Sequence, residues 1–234
     1  MDRTSRAVMF DFFGTLVDYR PERSVHRYPR THALAESWGL RLDHDAFRST
    51  WDAASAMLEA ESAMTGREFT MTQAAATFAT SVGLELTGDR HAELGRSICT
   101  EWEAHVVAIP GAAAMLARIA AHRQVAVVSN THSPDMVPRL MAALGFVPVD
   151  LMVLSVDHGW AKPHPSIFTA ALRGLGTPAF RTVFVGDSFT ADYVGPRACG
   201  IDAFLIDPGH RHDVPARHRL DSVLDLEGRL PGVR

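Results

Sequence analysis

Five short apolar runs, each ending in a small or charged polar residue, constrain this chain more than any other feature. Ala7 to Phe10 ends at Asp11, Val125 to Val128 at Ser129, and Leu151 to Leu154 at Ser155. Thr182 to Val185 ends at Gly186-Asp187, and Ala203 to Ile206 at Asp207. Runs of four or five apolar residues without alternation predict strands buried on both faces, as in a parallel sheet. The intervals between the later runs carry helical spacing. Gly111 to Arg123 puts Met115, Leu116 and Ile119 on one face. Ser133-Pro134 predicts a cap and first turn for a helix through Leu144, stopped at Gly145. Pro165 opens another that runs through Arg173 and stops near Gly174, and Thr190 to Cys199 forms a short one ending at Gly200. Strands alternating with helices predict right-handed crossovers and an α/β fold with a doubly wound, mainly parallel sheet. In that architecture the carboxyl ends of the strands line the ligand crevice, so Asp11, Ser129 and Asp187 converge.

Residues 17–108 are of another kind. They are rich in Ala, Glu, Met and Leu, and Ala33–Trp38, Asp45–Met64, Thr72–Val82 and Asp89–His105 read as helices. Gly39, Thr65-Gly66, Gly83 and Gly88 separate them. The expected organisation is an α/β core of residues 1–16 and 109–234, with residues 17–108 inserted as an all-α cap over the crevice.

Composition narrows the function class. At 47 % hydrophobic residues the 234-residue chain can bury a sizeable core, and a net charge of −4 without basic runs argues against nucleic acid and membrane partners. No apolar stretch is long enough to span a bilayer, and the first apolar run is too short for a signal peptide. Cys99 and Cys199 make no disulfide framework, so a reducing cytoplasmic setting is expected, for a monomer or homodimer. Lys162 is the only lysine; the other basic chains are arginine and histidine. GC-rich codon usage explains the bias. A lysine that persists under it occupies a place where a compact point charge differs from a planar fork.

Each polar strand end admits two readings. Asp11 either caps a turn or is a nucleophile, since Gly14-Thr15 lets backbone amides approach a phosphate and a carboxylate there can form an acyl phosphate. Asp187 and Asp192 are either acids placed at a helix N-terminus by the dipole or oxygen ligands of a hard cation such as Mg²⁺. Ser129 is an ordinary strand-end hydroxyl or a donor to a phosphoryl oxygen. Lys162 is a loop lysine or the charge that neutralises nucleophile and phosphoryl group. Gly14, Thr15 and Asn130 are the expected substrate contacts.

Together, Asp11-Phe12-Phe13-Gly14-Thr15, Ser129, Lys162 in K-P-x-P, and Gly186-Asp187-Ser188-Phe189-Thr190-Ala191-Asp192 resemble the four motifs of the haloacid dehalogenase superfamily, over residues 7 to about 207. The resemblance implies Asp11 as nucleophile, with Ser129 and Lys162 on the phosphoryl oxygens. It implies Mg²⁺ on Asp11, Asp187 and the Phe13 carbonyl, with Asp192 a ligand or the neighbour of one. It also implies a small phosphorylated substrate and an aspartyl-phosphate intermediate.

One position departs from the pattern. Phosphatases of this family carry a second aspartate two residues after the nucleophile, where this chain has Phe13. The missing acid–base group is worth about 10²–10⁴-fold. A leaving group that needs no proton would tolerate the loss, or His132 or His26 would substitute. A metal-independent 2-haloacid dehalogenase, which also carries an aromatic there, is the alternative, but Gly186-Asp187 and Asp192 argue against it. Phosphonate cleavage needs a cap lysine, which is absent. A non-catalytic binding module is the remaining reading. Arg20, Arg23, Arg27, Trp51 and Arg67 are candidate substrate contacts or a solvated face, and Ser155 and Asp157 candidate rim residues.

Overall fold

The computed structural model describes residues 7–19 and 28–230. Arg20, Arg23, His26 and Arg27 lie outside the described residues. In chain order the elements begin with β1 (Ala7–Phe10), β2 (Val17–Tyr19), α1 (Pro29–Ser37), α2 (His44–Thr65), α3 (Met71–Ser81), α4 (Gly88–Glu103) and β3 (Val106–Ala108). They continue with α5 (Ala112–Ala120), β4 (Gln124–Ser129), α6 (Met136–Ala143), β5 (Leu151–Leu154), α7 (Ser155–His158) and α8 (Pro165–Leu175). The last are β6 (Thr182–Gly186), α9 (Gly195–Ala198), β7 (Asp202–Ile206) and β8 (Arg219–Leu220). A π-helical segment, Phe189–Val194, runs directly into α9. The chain divides into two compact units. One comprises the residues through Tyr19 and from Val107 onward; the other is the stretch between, through Val106.

Among the described residues the first unit holds a six-stranded sheet in the order β5-β4-β1-β6-β7-β8, every pair parallel. This is the predicted α/β architecture. The order reverses at β1, which lies between β4 and β6, and such a switch point opens the crevice at the carboxyl ends. All four β1 residues are buried, as a central parallel strand requires. On one face Met9, Val128 and Phe184 pack against Ile167, Phe168 and Ala171 of α8, with the Phe168 and Phe184 rings edge to face at 5.5 Å. Met115, Leu116 and Ile119 of α5 are buried as their spacing predicted. Full burial of side chains of this size contributes about 1.5–3 kcal/mol each.

Several boundaries differ from the sequence reading. Helix α6 begins at Met136, not at Ser133-Pro134, because Thr131 and Ser133 bond each other in a local turn. Helix α8 passes through Gly174, where any side chain would collide with Leu151, and ends at Gly176, whose φ of +62° closes it. The span Thr190–Cys199 is a wide π turn followed by a single α turn. Strands β2, β3 and β8 are two or three residues long, too short to leave a pattern.

The second unit is helical. Asp43 caps α2 by accepting the Ala46 N–H at 2.8 Å, and Thr70 with Gln73 forms a capping box on α3. Helix α1 lacks a side-chain cap of its own. Glu101 of α4 supplies one, accepting the N–H groups of Arg30 and Thr31 at 3.0 and 2.9 Å. Phe47, Trp51, Phe78, Leu94 and Ile98 form its core. Trp51 is a packing residue of that core, its ring 5.6 Å from Phe78, and not part of a solvated face. Arg67 is exposed. Both cysteines are free thiols. Among the described residues no helix is long and apolar enough to cross a membrane.

Candidate active site

The site is set by parallel register. Phe10 pairs with Val127 on one side and Val185 on the other, so the chain leaves β4, β1 and β6 at adjacent points. Asp11 extends the ladder by one bond, its N–H donating to the Val185 carbonyl at 2.9 Å. The backbone then reverses. The Phe12 carbonyl accepts the N–H groups of Leu16 and Val17, and Gly14 stands at φ +81°. A side chain at Gly14 would occupy the space of the Asp187 carboxylate, so glycine is required twice over, by conformation and by contact.

Lys162 lies at the centre. Its Nζ donates to Asp11 Oδ1 and to Asp192 Oδ1, each at 2.7 Å, and its side chain is 2 % exposed. The ammonium also stands 5.2 Å from the centre of the Phe184 ring. Burial opposes its charge, but Asp11 and Asp192 outweigh burial and hold the pKa above the ordinary lysine value. Thr15 Oγ1 donates to the other Asp11 oxygen at 3.2 Å. Asp192 projects from the π-helical segment, and its second oxygen accepts the Ser188 N–H at 2.9 Å. A π turn recurs at functional positions because it re-aims a side chain; here Asp192 fills the space beside Gly186.

Carboxylate oxygens of Asp11, Asp187 and Asp192 lie within 4.8 Å of one another. Burial and the charge of Asp11 push the Asp187 carboxyl up to about 6. Burial pushes Asp192 up to about 7 although Lys162 pulls it down. Three carboxylates face one ammonium, a formal excess of two negative charges. At such distances two like charges repel by about 3 kcal/mol at an effective dielectric of about 20. The donor set is all oxygen and all hard, which fits Mg²⁺.

The remaining predicted residues divide. Ser129 is fully buried at the end of β4, its Oγ 3.4 Å from the Asn130 carbonyl oxygen. The Asn130 side chain turns to Lys162. It accepts the Lys162 N–H at 2.7 Å and donates to the Lys162 carbonyl at 3.0 Å. We therefore read Asn130 as a positioning residue instead of a substrate contact. Ser155 is buried, not at a rim. Its hydroxyl donates to the Thr131 carbonyl and accepts the Thr131 N–H, fastening β5 to the loop that follows β4. Asp157 lies in α7, and His132 is half-buried in the loop after β4. Phe13 is half-buried with its ring edge-on to Phe12 at 5.0 Å. The Asn130 clamp and the hydrogen bond from Ser188 to Asp192 had no sequence signal beyond residue type.

The profile of haloacid dehalogenase-like hydrolases matches residues 5–200. The chain is 40 % identical over 97 residues to haloacid dehalogenase-like hydrolase domain-containing protein 3 of Homo sapiens, across 36 % of this chain and 39 % of that protein. It thus spans only about two fifths of the length of that relative. It is 26 % identical over 238 residues to the ribulose-1,5-bisphosphate 5-phosphatase of Halopiger xanaduensis, across 96 % of this chain and 97 % of that one. Among solved structures it resembles a 2-haloacid dehalogenase from Pseudomonas syringae pv. tomato, with a TM-score of 0.68 at 20 % identity over 96 % of this chain and 97 % of that chain. That likeness concerns the fold. The profile spans most of the chain and includes Asp11, Ser129, Lys162, Asp187 and Asp192, so this chain belongs to the haloacid dehalogenase-like hydrolases.

Proposed function

We propose that the protein is a phosphatase or phosphotransferase that acts on a small phosphorylated metabolite with Asp11 as nucleophile. The convergence of Asp11, Asp187 and Asp192 around one lysine carries this reading. A site whose carboxylates outnumber its lysine disfavours an anionic substrate unless a cation enters too. Asp11, Asp187 and Asp192 would hold Mg²⁺, with the Phe13 carbonyl. The bound ion supplies charge that offsets the repulsion between nucleophile and phosphoryl group.

The residues then divide the work. Lys162 and Thr15 orient the Asp11 carboxylate through its two oxygens. Asp11 attacks phosphorus, the bond to the leaving group breaks, and an acyl phosphate forms on Asp11. Lys162 and Ser129 receive the phosphoryl oxygens. Water or an acceptor alcohol then takes the phosphoryl group and restores the carboxylate. Phe13 offers no proton, so the leaving group departs as an anion or takes its proton from water.

A metal-independent dehalogenase is the second reading, favoured by Phe13 because displacement of halide needs no acid. One pair of assays separates the two. Phosphate release from 4-nitrophenyl phosphate is expected to require Mg²⁺ and to vanish in Asp11→Asn. Halide release from 2-chloropropionate without metal, with no phosphate release, would overturn the proposal.

A further inference from the structure

The turn after β7 is built around one buried carboxylate. Asp207 is 1 % exposed and accepts the N–H groups of Arg211 and His212, each at 3.0 Å. Arg219 of the adjacent strand β8 braces the same turn. Its Nη2 donates to the His212 carbonyl at 2.8 Å, its Nη1 lies 3.1 Å from His210 Nδ1, and its Nε lies 3.7 Å from Asp207. His210 stands at φ +50°, a left-handed value that costs a non-glycine residue about 1–2 kcal/mol. The backbone of this turn is thus pinned from the inside at both 211 and 212, and a strained residue precedes them.

Two relationships aim the turn at the site. Strands β6 and β7 are parallel neighbours with Gly186 opposite Leu205, so Asp187 and the Asp207 turn leave the sheet side by side. The His212 ring also lies flat on Phe189, two residues past Asp187, with centroids 4.6 Å apart and planes 5° apart. The charge of Arg211 reaches Asp187, where it opposes the rise of that carboxyl. Yet the Arg211 side chain is 77 % exposed, and its pairing with Asp207 is long, 3.9 Å. Asp207 already accepts two backbone amides at shorter range, so the guanidinium fork keeps donor capacity toward solvent beside the carboxylate cluster.

We propose that Arg211 recognises a second anionic group, phosphate or carboxylate, on the substrate whose phosphoryl group meets Asp11. This rests on the phosphoryl-transfer reading above. A planar guanidinium matches both oxyanions in the same forked way. A substrate with a neutral tail gains nothing from Arg211, whereas one with two anionic ends places the second beside its guanidinium.

The test is a binding measurement that needs no turnover. In the Asp11→Asn protein with Mg²⁺, calorimetry compares 3-phosphoglycerate with glycerol 3-phosphate, and fructose 1,6-bisphosphate with fructose 6-phosphate. The first pair reports a second carboxylate and the other a second phosphate. In at least one pair the doubly anionic ligand is expected to bind about tenfold tighter, the scale of one charge-assisted hydrogen bond. Adding Arg211→Gln is expected to bring that pair within about twofold, and Arg211→Lys to restore part of the difference. Equal affinities in both pairs, or a difference that survives Arg211→Gln, overturns the proposal. The phosphoryl-transfer reading fails by a separate sign, the absence of phosphate release from 4-nitrophenyl phosphate by the unmodified protein.

Discussion

The carboxamide of Asn130 and the peptide unit of Lys162 bond each other reciprocally, the Lys162 N–H to Oδ1 at 2.7 Å and Nδ2 to the Lys162 carbonyl at 3.0 Å. A side chain at the end of β4 thus fixes the backbone that carries the site's ammonium. Asn130→Ala removes both bonds. It is expected to lower kcat/KM on 4-nitrophenyl phosphate by about 10- to 100-fold, or about 1.4–2.7 kcal/mol. Stability to urea should fall by about 1–3 kcal/mol. Asn130→Asp replaces the donor with an acceptor facing the Lys162 carbonyl and is expected to be at least as damaging. Activity within twofold of the unmodified protein would remove Asn130 from this role.

Lys162 is buried between two carboxylates, so its loss leaves charge without a partner. For Lys162→Met we expect activity to disappear and stability at pH 8 to fall by about 3 kcal/mol or more. The deficit should shrink toward pH 5, where Asp192, already raised to about 7, takes up a proton. Urea unfolding at the two pH values reads this. A deficit that is the same at both would show that the ion pairs do not govern it.

The raised carboxyls give a pH dependence of definite sign. Asp187 at about 6 and Asp192 at about 7 stand above the ordinary aspartate value near 4. Between about pH 4 and 7 these two carboxyls therefore hold more protons in the folded metal-free protein than in the unfolded chain, and their contribution to stability falls as pH rises through that window. Mg²⁺ held there as proposed would have to displace those protons. Its affinity is expected to rise from pH 5 to 7.5, with proton release that calorimetry in buffers of different ionisation enthalpy will detect. Binding without proton release at pH 6 would contradict this arrangement.

Under the proposed phosphoryl transfer, Phe13 makes turnover depend on the leaving group. Turnover is expected to fall steeply from 4-nitrophenyl phosphate to an alkyl phosphate, because the alkoxide is left without a proton. Phe13→Asp is expected to raise kcat on the alkyl ester by at least tenfold, within the roughly 10²–10⁴-fold range of general acid–base catalysis, and to change the aryl ester little. A flat dependence on leaving-group pKa in the unmodified protein would mean that another group, such as His132, already supplies the proton.

Much of this was legible before any coordinates. The apolar runs marked β1, β4, β5, β6 and β7 to within a residue or two, because a strand buried on both faces leaves a continuous apolar signal. The polar residues that end β1, β4 and β6, with Lys162 and Asp192 in their motifs, were legible as candidate site residues from type and position. What was not legible followed from contacts distant in sequence. Gly174 looked like a helix stop because a local reading has no view of Leu151 packed against it. Trp51 could be read as part of a solvated face because composition does not distinguish a packed ring from an exposed one. Helix α1 has no cap in its own sequence because Glu101, some seventy residues on, provides it.

The amino-acid sequence by itself determined which chemical groups stand at the strand ends and that the sheet is parallel, since both follow from residue type and local period. The tertiary structure decided what those groups are. Lys162 meets Asp11 across 151 residues of chain, and Asp187 and Asp192 are shifted only because register and burial bring them near Asp11 and away from water. Charge energies depend on separation and desolvation, and neither quantity exists until the strands are in register. Asp11 is named by its place in the sequence, but its partners are set by the fold.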